Sequence, residues 1–209
     1  MSVGLIAVLT LSVIAGCYGN TFKMGACPRV VVMDQLDFDR FSGDWHVIQR
    51  FNPMATCTKF AIEKGPDGVY TVNETSRPLG LNFGFHQQYI KARKINFLRN
   101  DTTSIFRLER NLVHFTLSTF GVVDTDYDKY AIIWGCDPVL FGSVQNVDIL
   151  SRQTSLDSDT IKKAKDTLKE MHIDTSPMDN VDHSHCGNSG NGDGAEGEGN
   201  PNTNNIVAG

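Results

Sequence analysis

Three aspartates, Asp124, Asp126 and Asp128, are spaced by two, as in the opening of a calcium-binding loop. Such a loop also needs glycine at its sixth position and glutamate at its twelfth, where this chain has Lys129 and Gly135. Calcium chemistry is therefore not expected there. His183-Ser184-His185-Cys186 groups nitrogen and sulfur donors, but Cys186 is wanted for a disulfide and the histidines fall in a loop. The chain has no Gly-x-Ser-x-Gly elbow and no phosphate-cradling glycine loop, and neither His86 nor His114 has a spacing that suggests a nucleophile partner. The sequence thus reads as a non-enzyme without metal or cofactor, whose chemistry is that of binding.

The elements that carry these residues are short and alternating. Trp45–Phe51, Thr58–Ile62, Val69–Glu74, Gln87–Ile95, Ser104–Leu108, His114–Thr119, Tyr130–Trp134 and Val144–Leu150 place β-branched or aromatic residues at period two, often with Gly, Pro, Asn or Asp between them. About eight strands over about 110 residues fit a sandwich or an up-and-down barrel. The period then changes: Ile161, Ala164, Leu168 and Met171 form one apolar stripe of a helix over about 158–172, with Asp157 or Ser158 as its N-cap and Lys162, Lys163 and Lys165 toward solvent. That helix is expected to pack on the outside of the barrel. From Gly187 onward the sequence is rich in Gly and Asn without apolar periodicity, so residues 187–209 are expected to be a disordered tail.

Hydrophobic residues make up 40% and charged residues 21% of the 209, a globular balance, and the net charge of -5 gives no reason to expect nucleic acid as a partner. Val3 to Gly16 is an uncharged apolar run, too short for the roughly 20 residues that span a bilayer and suited to the core of a signal peptide. Residues 1–19 are read as that leader, with cleavage before Asn20, although no Lys or Arg precedes the run. Ile14-Ala15-Gly16-Cys17 also resembles a lipoprotein cleavage box, which the missing basic leader and the further cysteines disfavour. Cys27, Cys57, Cys136 and Cys186 then remain, an even number whose three alternative pairings spacing does not separate. Asn73-Glu74-Thr75 and Asn100-Asp101-Thr102 are N-glycosylation acceptors, so leader, cysteines and sequons agree on an extracellular protein.

Three separated stretches form one pattern: Phe41-Ser42-Gly43-Asp44-Trp45-His46, then Thr125-Asp126-Tyr127-Asp128-Lys129-Tyr130, then Ile149-Leu150-Ser151-Arg152. Gly43 permits a tight bend into the first strand, Trp45 can plug the taper of a closed barrel end, and Arg152 can lie across the indole while donating to carbonyls. A Gly-x-Trp, a T-D-Y-x-x-Y turn and a late arginine in this order resemble the lipocalins. Met24-Gly25-Ala26-Cys27-Pro28, Tyr130 to Cys136 and the helix followed by a late Cys186 resemble the apolipoprotein D and insect bilin-binding (Lazarillo-like) subgroup, over about Met24 to Cys186.

The resemblance implies an all-β, eight-stranded antiparallel up-and-down barrel with one C-terminal flanking helix, spanning residues 20–186. It also implies the disulfides Cys27–Cys136 and Cys57–Cys186. The expected function is to carry or sequester a small lipophilic ligand (lipid, sterol, retinoid, fatty acid or bilin), held non-covalently in the cup. The reading leaves room for a membrane or cell-surface receptor contact. Gly43, Trp45, Thr125, Asp126, Tyr127 and Arg152 are structural in this reading. Ile62, Phe120 and Ile132 occupy positions resembling the family's pocket residues. If Asn73 carries sugar it faces outward, which turns Tyr70 and Val72 inward.

Two departures stand out. His46 replaces the usual tyrosine and should point away from Trp45 with little effect on function. Counting by twos from Arg152 puts Leu150, Asp148 and Asn146 on the interior face, and Asp148 stands where close relatives carry an aromatic residue. The carboxylate either pairs with a cationic or hydroxyl-bearing ligand, or sits at a wet mouth, or is turned outward by a bulge. Two alternatives to lipid carriage follow: sequestration of a biogenic amine through Asp148, or a protein-interaction role with a vestigial cup.

Overall fold

The computed structural model describes residues 20–79, 89–98, 104–109 and 119–186. The expected leader, the expected tail, His86, His114 and Asn100 lie outside the described residues. The strands are β1 (Thr21–Met24), β2 (Gly43–Phe51), β3 (Ala55–Lys64), β4 (Tyr70–Pro78), β5 (Tyr89–Phe97), β6 (Ile105–Leu108), β7 (Thr119–Thr125), β8 (Tyr130–Val139), β9 (Gly142–Ser151) and β10 (Met178–Asn180). A four-residue helix α1 (Phe38–Phe41) precedes β2, and α2 (Ser158–Glu170) follows β9. Strands β2 to β9 pair antiparallel in sequence order and close through β9 against β2, which makes an eight-stranded barrel of the lipocalin fold. The short β1 extends the pairing of β9, and β10 that of β2.

Alternation along each strand builds two apolar layers. In β8, Ala131 and Ile133 join an inner cluster with Trp45, Val47, Phe60, Ile62 and Leu150. Tyr130 and Ile132 join an outer cluster with Val147, Ile149, Ala164 and Leu168, the seam between the barrel wall and α2. Burial of these side chains stabilises the fold by roughly 25 cal/mol per Å² of apolar surface. Asp157 caps α2, its Oδ1 accepting from the Thr160 amide at 2.9 Å. Ala164 and Leu168 are buried against the wall, while Ile161 and Met171 at the ends of the stripe are half-buried.

The strand expected at His114–Thr119 is found later, as β7 from Thr119 to Thr125, and residues 114–118 lie outside the described residues. A bulge between Val122 and Asp124 breaks the alternation there. It sets Val122 opposite the inward Ile133 but Asp124 opposite the outward Ile132, so residues two apart face opposite ways and the period-two signature is lost.

Candidate functional site

The closed end of the barrel is built around two residues. Trp45 is fully buried, and its indole N–H donates to the Phe41 carbonyl at 2.8 Å. The Arg152 guanidinium lies 3.7 Å over the indole. From there it donates to the carbonyls of Tyr127 at 3.0 Å, Asp44 at 2.9 Å and Arg40 at 3.0 Å. Gly43 bends into β2 at a φ of 93°, and a Cβ there would lie 3.4 Å from the arginine. The Thr125 hydroxyl donates to the Tyr130 carbonyl at 2.6 Å, and Asp126 Oδ1 accepts from the amides of Asp128, Lys129 and Tyr130. Those three bonds hold the Asp126 carboxyl below its ordinary range against the opposing effect of burial. The acids of this stretch therefore serve a turn. Among the described residues no three His, Cys, Asp or Glu side chains are grouped to hold a metal ion.

Above this plug lies an apolar floor. Phe38 of α1 enters the barrel and meets the rings of Tyr70, Phe97 and Phe106 edge-on, with centroids 4.8, 4.9 and 5.8 Å away. Of the residues expected to line the cup, Ile62, Tyr70, Val72 and Leu150 belong to this inner cluster, and Phe120 packs against it. Ile132 does not. It pairs with Ile149, which faces α2, so both side chains lie on the outer wall. Asn73 falls on the β4 face opposite Val72 and is half-buried.

Next to the floor the interior changes character. Asp148 faces inward and is only 2% exposed, so neither a wet mouth nor an outward turn accounts for it. Its partner is a residue the sequence reading did not single out. Arg50 clamps it in bidentate fashion, Nε to Oδ1 at 2.7 Å and one terminal nitrogen to Oδ2 at 3.0 Å. The other terminal nitrogen of Arg50 donates to Glu74 at 3.1 Å, Arg93 meets Glu74 at 3.4 Å, and Asn146 donates to Asp148 at 3.1 Å. Burial opposes the charge on Arg50, but the carboxylates of Asp148 and Glu74 outweigh it and push its pKa above the ordinary value. For Arg93 burial wins and its pKa is lowered, with Glu74 opposing and Arg50 adding to the fall.

Two cross-links tie the barrel to its flanking segments. Cys27 is bonded to Cys136 of β8, and Cys57 of β3 to Cys186. His183 contacts the Val47 carbonyl through Nε2 at 2.8 Å and meets the His46 ring edge-on, with centroids 5.5 Å apart. His46 thus points to the outer surface, away from the indole.

No family model matches the sequence. Over 192 residues the chain is 27% identical to apolipoprotein D of Cavia porcellus and 25% identical to that of Macaca fascicularis, covering 86% of this chain and 96% of each relative. Among solved structures it resembles insecticyanin from the tobacco hornworm Manduca sexta, with a TM-score of 0.65 at 21% identity over 80% of this chain and 91% of that one. Lobster apocrustacyanin A1 superposes with a TM-score of 0.61 at 16% identity, covering 77% of this chain and 89% of its own. The likeness to apolipoprotein D along most of the chain points to a non-catalytic protein. The chain has the lipocalin fold and is similar to apolipoprotein D along most of its length.

Proposed function

We propose that this protein is a secreted lipocalin of the apolipoprotein D and insect bilin-binding subgroup, which carries or sequesters one small lipophilic molecule in its cup. The observation that carries the reading is the inner wall, where Ile62, Tyr70, Val72 and Leu150 offer apolar surface beneath a single polar layer. An apolar cavity with few convergent polar groups suits a ligand bound by burial and oriented by one or two hydrogen bonds. Extracellular residence is supported by the likeness to apolipoprotein D along most of the chain, by the leader read at residues 1–19 and by the two disulfides. In this reading Asn73 and Asn100 carry glycans. Arg50 already neutralises Asp148, which speaks against an ammonium ligand at that carboxylate.

The test is native mass spectrometry of protein secreted from eukaryotic cells, with an absorbance scan of the same sample. A stoichiometric mass increment that is lost on denaturation is the expected result, and the released mass gives the ligand class. Protein that emerges bare, and stays bare after incubation with lipid extract and with retinoids, would overturn the carrier reading in favour of a protein-binding role.

A further inference from the structure

The polar layer inside the barrel has one unmet requirement. Asn146 is 6% exposed, and its Nδ2 donates to Asp148 Oδ2 at 3.1 Å. Its Oδ1 is buried and has no hydrogen-bond partner among the described residues. Turning the amide over would set Oδ1 against the Asp148 carboxylate, so the environment fixes the free atom as an acceptor. A buried carbonyl oxygen without a donor is costly, and a ligand that supplies one is favoured.

The surroundings restrict that ligand further. Asn146 pairs across the wall with Gly135, which has no side chain, and Gly135 pairs in turn with Phe120. At this register position the intervening strand contributes no side chain between Asn146 and Phe120. Among the described residues the charges of the layer balance: Arg50 and Arg93 face Glu74 and Asp148 in one chain of ion pairs. An added carboxylate or ammonium would bring an uncompensated charge into this low-dielectric layer and forfeit its hydration.

We infer that the cup selects an uncharged lipophile ending in a hydroxyl group, which donates its hydrogen to Asn146 Oδ1 while the hydrocarbon body lies on the apolar floor. The inference rests on the proposed carrier function and assigns Asn146 as its specificity residue. The floor itself, shared by any apolar body, does not distinguish alcohols from ethers.

Lipid-stripped full-length protein should be titrated with four probes of one skeleton: retinol, retinyl methyl ether, retinoic acid and retinylamine, followed by ligand and tryptophan fluorescence. Retinol is expected to bind about tenfold more tightly than the ether, the worth of one buried hydrogen bond, and more tightly than the acid or the amine. In Asn146→Ala the alcohol-to-ether ratio should fall to about one with ether affinity near wild type, while the melting temperature drops with the lost bond to Asp148. The wild-type ratio needs no variant and decides the matter even if Asn146→Ala fails to fold. Equal binding of alcohol and ether, or tighter binding of the acid or the amine, overturns the inference and leaves the carrier reading standing. Failure of all four probes to bind overturns the inference, and the carrier reading falls with it only if the protein also stays bare in lipid extract.

Discussion

Two arginines divide this barrel between them, and they do opposite jobs. Arg152, at the closed end, spends its donors on main-chain carbonyls and stacks on Trp45. Arg50, higher in the interior, spends its donors on carboxylates. Burial lowers the pKa of Arg152, whereas at Arg50 the two acids reverse that effect. Carbonyl partners fix where strands and turns end, so Arg152 acts on the fold and is indifferent to what fills the cup. Carboxylate partners create a local balance of charge, so in the proposed carrier function Arg50 sets which charges the cup will tolerate. The same side chain is architectural at one depth and selective at another, and its partners decide which.

The sharpest break falls on the architectural end. Trp45→Ala should cost about 4 kcal/mol in urea denaturation, since it removes a fully buried ring and the platform for Arg152. A loss below about 1 kcal/mol would mean that the plug is dispensable. At the other arginine, Asp148→Leu should cost about 3 kcal/mol by leaving Arg50 buried beside Glu74 alone. The double variant Arg50→Met, Asp148→Leu should recover most of that loss, and additive losses would show that the two residues do not act as a pair. A milder contrast comes from Arg152→Lys, which keeps the charge but loses the planar fork. About 1 kcal/mol of stability should go while retinol affinity stays unchanged, and a fall in affinity would contradict the division of labour.

The smallest effect belongs to the outer surface. Burial, then the neighbouring His183 and Lys59, hold the His46 pKa below its ordinary value, with Asp44 opposing. Unfolded chain therefore binds that proton first, so stability is complete above about pH 6.5 and is lost as pH falls through the lower folded value. His46→Phe should flatten this slope by less than about 1 kcal/mol, because solvent screens a half-exposed ring. Superimposable pH profiles of the two proteins would rule the contribution out.

Legibility in the sequence follows the same division. Gly43, Trp45, the T-D-Y-x-x-Y turn and Arg152 obey local rules of bend, plug and turn, so their positions could be read residue by residue. Tyr70 and Val72 followed by alternation from an outward Asn73, and Leu150 by alternation from Arg152. Arg50 was hidden by a bulge. Counting by twos from Trp45 turns Val47, Gln49 and Phe51 inward and Arg50 outward. The extra residue between Val47 and Gln49 moves the count by one and brings Arg50 opposite Asp148. Ile132 was misjudged for a related reason. Its direction depends on pairing with Ile149, and register between strands is not written in either strand alone. The short α1, which fills the floor with Phe38, carries too few residues for a helical period to show.

Both cross-links join an early cysteine to a late one, across 109 and 129 residues, and they interleave along the chain. The barrel seam does the same, since its first strand closes on its last. During synthesis, then, Cys27 and Cys57 leave the ribosome with each other for company and without either native mate. Any bond formed between them in that interval is wrong and must be undone by thiolate attack once Cys136 and Cys186 arrive. Nothing in the first half of the molecule can be completed on its own. Neither native cross-link can close before Cys136 has emerged, and the second waits for Cys186, so covalent closure of this barrel comes late in the life of the nascent chain.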